Sequence, residues 1–307
     1  MLRFAVILAL AFPALSAQEP PSPGEPEFTL YTATQLVVLN VGVQDSHGTN
    51  IKGLTAQDFK ILEDGHPQII KQFAAEDRPV TLGIVVDASG SMRARQPEVV
   101  TAALAFVRAS NPQDETFVVN FNDHAFQGLP PAIPFSSDPQ QLRSALLRPK
   151  PEGRTALYDA LALAADHLAK GKWENKVLLL ISDGGDNNST HSFAETMHAL
   201  QRSGATVYTV ALFDPDEREH NLGILHRLSK MSGGEAFEPM DISQIGPLCL
   251  RIAADIRASY TLAYTPPQPD QHTTPRKIKV AVAAPNVGKL AVRTRTSYVL
   301  EQATEQR

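Results

Sequence analysis

A single cysteine, Cys249, is all that the 307 residues contain, so no internal disulfide can form. It falls in an apolar helical pattern and reads as a core residue. The nine histidines include no closely spaced pair of the kind zinc sites use; His220 and His226, six apart, do not share a helix face. The excess of either charge is also small. Lys plus Arg number 28 against 33 Asp plus Glu, the formal charge is -5, and no strong basic run occurs, which argues against a nucleic-acid partner. There is no P-loop pattern, no recognisable Ser-His-Asp arrangement and no internal repeat. Bilayer-length apolar segments are missing too: the stretch from Phe4 to Phe12 is too short for a comfortable membrane span, and no other stretch could cross a bilayer.

What is present begins with a leader-like segment. Arg3, the apolar run and then Pro13-Ala14-Leu15-Ser16-Ala17 follow the charged, apolar and small-residue order of a secretory signal, with cleavage expected after Ala17 or Ser16. Residues 1–17 are therefore read as a signal peptide and the protein as secreted or periplasmic, with membrane attachment only if the signal is retained. No cysteine follows the run, which excludes a lipoprotein anchor. Residues 18–27, rich in Pro, Gly and Glu, read as a linker. From Phe28 to Phe73 the pattern has period two: Leu39, Val41 and Val43 alternate with Asn40, Gly42 and Gln44, and Asp64-Gly65 is a turn signal. Residues 28–76 thus form a small β unit, too short to bury a good core alone.

At Pro79 the pattern changes. Thr81–Val86, Thr116–Phe121, Lys176–Ile181 and Ala205–Leu212 are short apolar runs without a polar face, as in strands buried on both sides. Between them lie helical spacings, among them Val99, Ala103, Phe106 and Val107, then Leu157, Leu161, Ala164 and Leu168, and finally Ile245, Cys249, Ile252 and Ile256. Strands alternating with helices imply a mostly parallel sheet covered on both faces. The fold expected for 79–258 is α/β and doubly wound. Residues 259–300 return to β patterning, with Ile278, Val280 and Val282 alternating with lysines, then Leu290 and Val292. They are read as a hairpin that pairs with the N-terminal unit to make a small β-sandwich beside the α/β domain.

Chemistry is concentrated at three strand or helix ends. Asp87-Ala88-Ser89-Gly90-Ser91 follows the first buried strand, and ligand sites in open α/β sheets lie at the carboxyl ends of such strands. Gly153-Arg154-Thr155 precedes a helix, and Ser182-Asp183-Gly184 follows the strand 176–181. Each can be read singly as a helix cap or turn. Together, Asp87, Ser89, Ser91, Thr155 and Asp183 offer two carboxylates and three hydroxyls, all oxygen donors of the kind a hard cation such as Mg²⁺ takes. Asp123-His124, Asp186 and Asn187 stand in neighbouring loops. Asp123 and His124 read as a surface turn, and Asp186 and Asn187 as rim residues. Arg93 and Arg95, just past the first loop, read as solvated residues that could attract an acidic ligand.

These stretches resemble the von Willebrand factor type A domain family and its metal-ion-dependent adhesion site, D-x-S-x-S with a later Thr and a later Asp. All five positions are filled, over a resemblance spanning about Pro79 to Arg257. The flanks, through Leu54-Thr55-Ala56-Gln57-Asp58-Phe59, Glu63-Asp64-Gly65, Tyr260-Thr261-Leu262-Ala263-Tyr264 and Arg276-Lys277-Ile278-Lys279-Val280, resemble a related bacterial family known largely from acidobacteria. The resemblance implies that Ser89, Ser91 and Thr155 bind Mg²⁺ (Mn²⁺ and Ca²⁺ are also oxygen-seeking) directly or nearly so, while Asp87 and Asp183 often act through water. It implies binding of a protein partner that supplies an Asp or Glu carboxylate, without bond cleavage. Two other readings follow from the same residues: an assembly module in which the metal only stabilises the loops, and a Mg²⁺-dependent phosphohydrolase using Asp87. The hydrolase motif, however, would put a second Asp where Ser89 stands.

Overall fold

Two separate hydrophobic cores organise the residues described by the computed structural model, which are 36–75, 77–212, 220–267, 275–284 and 288–299. The signal segment, the linker and the beginning of the first β unit lie outside the described residues. Four strands come first: β1 (Val37–Gln44), β2 (Phe59–Glu63), β3 (His66–Gln68) and β4 (Ile70–Ala74). The alternating part runs β5 (Thr81–Asp87), α1 (Gln96–Ala109), β6 (Glu115–Phe121), β7 (Ala125–Gln127), α2 (Pro139–Leu146), α3 (Leu157–Leu168), β8 (Lys176–Ser182), α4 (Phe193–Ser203), β9 (Thr206–Ala211), α5 (Leu222–Ser232), β10 (Ala236–Phe237) and α6 (Ile245–Arg257). Then follow β11 (Tyr260–Tyr264), β12 (Arg276–Val282), β13 (Ala291–Arg293) and β14 (Ser297–Tyr298).

The larger core belongs to a six-stranded sheet in the order β10-β9-β8-β5-β6-β7. All its pairings are parallel except β6 with β7, a short antiparallel return at the edge. Every residue of β5 and β9 is buried, as the lack of a polar face in those runs requires when helices cover both sides. The helix ends carry ordinary stop and start chemistry. Asp138 accepts from Gln140 N at the start of α2, Ser192 and Glu195 form a reciprocal cap on α4, and α4 and α5 end at Gly204 and Gly233 in the left-handed region. The doubly wound α/β architecture expected from the strand–helix alternation is the one observed.

The smaller core lies between two antiparallel four-stranded sheets, β13-β1-β11-β4 and β14-β12-β2-β3. Val37, Leu39, Val41 and Val43 of β1 face Tyr260, Leu262 and Tyr264 of β11 and Ile278 and Val280 of β12 within this core. A buried carboxylate, Glu63, is satisfied there: it accepts from the Tyr264 hydroxyl at 2.6 Å and the Tyr298 hydroxyl at 2.9 Å, and pairs with Arg276 Nη1 at 2.7 Å. One expectation is corrected. The stretch 276–293 is not a hairpin: β12 pairs with β2 and β14 in one sheet, whereas β13 pairs with β1 in the other. Its period-two pattern encodes strands but not partners, and closing the sandwich sends the two strands to opposite layers.

The sandwich meets the α/β sheet at the amino ends of its strands. Asn40 Nδ2 reaches Thr206 Oγ1 at 3.5 Å, and Asn175 Nδ2 donates to Thr261 Oγ1 at 3.1 Å. Asp255 at the end of α6 accepts from Asn50 Nδ2 at 2.7 Å and from Arg293 Nη2 at 3.2 Å, while Arg293 also pairs with Glu235. The carboxyl ends of β5 and β8, at the opposite pole, carry no sandwich contact of this kind among the described residues and form the rim described next.

Candidate metal centre

Three loops build the rim. The first leaves β5 at Asp87 and is held against β6 by a hydrogen bond from Ala88 N to Phe121 O (2.7 Å). The second approaches α3 and is bonded to the first twice, through Gly90 N to Gly153 O (3.2 Å) and Glu152 N to Ala88 O (3.1 Å). The third leaves β8 at Ser182 and clasps the second: Asn187 N and Asn188 N donate to Thr155 O at 3.0 and 3.1 Å, and Thr155 N donates to Asn187 Oδ1 at 2.9 Å.

Four of the five residues form one hydrogen-bonded chain. Ser89 Oγ and Ser91 Oγ stand 3.0 Å apart, and Ser91 Oγ donates to Asp183 Oδ2 at 2.9 Å. Asp87 lies beneath: its Oδ1 accepts from Ser89 N at 2.9 Å and its Oδ2 from Ser182 Oγ at 2.8 Å. The remaining Asp183 oxygen accepts from Gly185 N at 2.8 Å. Thr155 is brought to the same rim by the loop bonds above. Asp87 and Ser89 are 2% exposed, Asp183 6% and Thr155 7%, while Ser91 is half-buried.

The electrostatics are unfavourable as they stand. Burial pushes the Asp87 carboxyl up to about 7, the neighbouring Asp183 charge adds to the rise, and the hydrogen bonds from Ser89 and Ser182 only partly offset it. Two adjacent carboxylates in a buried cradle invite a cation. The donor set also suits one by spacing. An octahedral Mg²⁺ with oxygens at about 2.1 Å has neighbouring oxygens about 3.0 Å apart. The Ser89–Ser91 and Ser91–Asp183 separations match that edge. Among the described residues there is no group of three or more His, Cys, Asp or Glu side chains that could hold a metal. Any ion at this rim would therefore rely on the hydroxyls.

Several supporting residues escape a reading of the chain alone. Ser182 locks Asp87 while accepting Gly184 N at 3.0 Å, and only its place one residue before Asp183 hints at this. Asn187 aims Thr155 and is more than a rim residue. Asp186 and Ser189 cap α3 from outside: Tyr158 N donates to both, at 3.1 and 3.0 Å, and Asp159 N donates to Ser189 Oγ. Asp123 is a strut as well as a turn residue, accepting Arg154 N at 2.8 Å on its side chain and Asn188 Nδ2 at 2.7 Å on its carbonyl.

The parallel sheet, its helices and the oxygen-lined rim define the class of fold. Residues 82–185 match the family described as von Willebrand factor type A domain, and the chain contains such a domain. No curated protein matches the chain. Among solved structures, a von Willebrand factor type A protein from Catenulispora acidiphila superposes with a TM-score of 0.52 at 14% identity, over 87% of this chain and 75% of that one. Proximal thread matrix protein 1 from the mussel byssus gives 0.51 at 16% identity, over 64% of this chain and 51% of that one. An aerotolerance-related membrane protein from Bacteroides fragilis is matched over 58% of this chain and 98% of its own, with 18% identity and a TM-score of 0.46. The first two likenesses show the fold. Among the described residues, no helix is long and apolar enough to cross a membrane.

Proposed function

We propose that the chain is a secreted or periplasmic binding protein that captures a partner carboxylate through a divalent metal, Mg²⁺ or a similar oxygen-seeking ion, at this rim. The observation behind the proposal is the run of oxygens from Ser89 through Ser91 to Asp183 at octahedral spacing above the buried Asp87. In this reading Ser89, Ser91 and Thr155 hold the ion, Asp87 and Asp183 balance its charge, and a coordination position left to the partner accepts an Asp or Glu side chain. The metal supplies charge and direction; the loops supply selectivity. The matched domain family and the likeness to a mussel byssus matrix protein are compatible with an interaction module. A phosphoryl-accepting Asp87 finds little support, because both of its oxygens are engaged by Ser89 N and Ser182 Oγ in a buried position.

Calorimetric titration of the purified chain with Mg²⁺ and Mn²⁺, beside Asp87→Ala, tests the proposal. One saturable site lost in the variant is expected. A well-folded wild-type chain that takes up neither ion would remove the metal from the reading and leave an assembly module.

A further inference from the structure

Two arginines sit on the seams between the three rim loops. Arg93, in the first loop, lays its guanidinium across to the second, with Nε donating to Pro151 O at 3.1 Å. Arg154, in the second loop, reaches the third, with Nη1 to Asn188 Oδ1 at 3.4 Å. Both residues are exposed, on a chain whose net charge is negative.

Their backbones are held as firmly as the oxygen donors. Gly90 N bonds to Gly153 O, so the turn carrying Arg93 and the residue preceding Arg154 are joined directly. Arg154 N is fixed by Asp123 Oδ1, and Gly153 has a φ of +83°. A Cβ added there would come within 2.3 Å of Asp123 Oδ2. Each guanidinium thus has an anchored base and one tethering hydrogen bond, which reduces the ordering cost of meeting a carboxylate. Both arginines are exposed on the loops that carry the oxygen donors, so a partner segment reaching the centre would pass over loops that bear two cations.

We infer that Arg93 and Arg154 form a cationic rim that selects a partner segment carrying several carboxylates, an acidic peptide with Asp or Glu on both sides of the one at the centre. This rests on the metal-site reading for the central carboxylate but not for the flanking ones. Glu152, exposed in the same loop, opposes the preference and gives the test a second sign.

The experiment measures fluorescence anisotropy of two labelled hexapeptides, hexaglutamate and one with a single glutamate among glycines and serines, against the full chain with Mg²⁺ and with chelator. Exposed ion pairs of this kind change affinity about two- to threefold each. The double variant Arg93→Gln with Arg154→Gln is therefore expected to weaken hexaglutamate binding about fivefold and to leave the single-glutamate peptide within twofold. Glu152→Gln is expected to strengthen hexaglutamate binding, and raised salt to erase the difference. Circular dichroism and a Mn²⁺ titration on each variant monitor the fold and the metal separately. A preference for hexaglutamate that persists in chelator and disappears in the double variant keeps the rim and removes the metal from the reading. Equal affinity for the two peptides, or a preference untouched by the double variant, overturns the inference whatever the metal does.

Discussion

At the scale of single residues, several buried polar groups have partners that fix what they do. His167 is a case away from the rim. It is buried between Phe117 and Phe135, with Nε2 at 2.8 Å from Pro134 O and Nδ1 at 2.8 Å from Gln127 Nε2. Pro134 O can only accept, so Nε2 carries the proton and Nδ1 accepts from the Gln127 amide; the neutral ring satisfies both bonds. Burial holds its pKa below the usual 6.5, against the opposing hydrogen bond to Pro134. The stability tied to neutral His167 is therefore fully present above pH 6.5 and is lost as pH falls through the lowered folded value. Melting temperatures between pH 7 and pH 5 should fall more steeply for the wild type than for His167→Gln. Asp114, pushed up to about 6 by burial, contributes the opposite slope in both proteins and cancels in the comparison. At the rim, Ser182→Ala removes the donor to Asp87 Oδ2. A destabilisation of about 1–3 kcal/mol is expected for a buried acceptor left short of a partner. Urea denaturation measures it. That Asp87, Ser89, Ser91 and Asp183 meet at one rim was legible in the chain because they stand at strand ends and in the turns just after them. Ser182 and Asp123 were not, since their partners lie 95 and 31 positions away and nothing local marks the pairing.

At the scale of elements, β5, β6, β8 and β9 were legible because a strand buried on both faces has no polar positions to confuse with anything else. Three-residue strands such as β3 and β7 carry too little pattern to announce themselves, and the partners of β12 and β13 depend on which layer has room. Helix α3 shows a similar limit. Its own N-cap, Ala156, offers no side-chain oxygen, and the cap comes from Asp186 and Ser189 in a later loop. Ser189→Ala should destabilise the protein by about 1 kcal/mol, as the loss of a cap does, read from a thermal or urea transition. Gly153→Ala carries a larger penalty because a side chain is disfavoured at positive φ and its Cβ would strike the Asp123 carboxylate. A loss of about 1–3 kcal/mol is expected, together with weaker metal uptake in the calorimetric titration.

For the whole molecule, the two cores are joined by polar and ionic contacts. Asp255 is the hub, bridging Asn50 of one part and Arg293 of the other end of the chain at the base of the α/β sheet. Burial raises its pKa, and the hydrogen bond from Asn50 is the largest opposing effect. Asp255→Ala leaves Arg293 with Glu235 as its remaining pair and Asn50 without its acceptor. A loss of about 2–3 kcal/mol is expected, below the usual range for breaking a buried pair because the Arg293 side chain is 18% exposed. If the two cores unfold as one unit, the loss shifts a single urea transition. A split into two transitions would show that this hub is what couples them.

The placement of the sandwich has one more consequence. It occupies the amino pole of the sheet, where Asn175 and Thr206 meet it, whereas Asp87 and Ser182 end their strands at the carboxyl pole. The first and last described strands, β1 and β14, both belong to the sandwich. Attachment through either of these two strands would leave the same rim facing outward, and a load applied at the rim would run lengthwise along β5 and β8. If the proposed capture of acidic peptides holds, coupling the protein to a sensor chip through a cysteine introduced in β1 or one introduced in β14 should give the same hexaglutamate affinity.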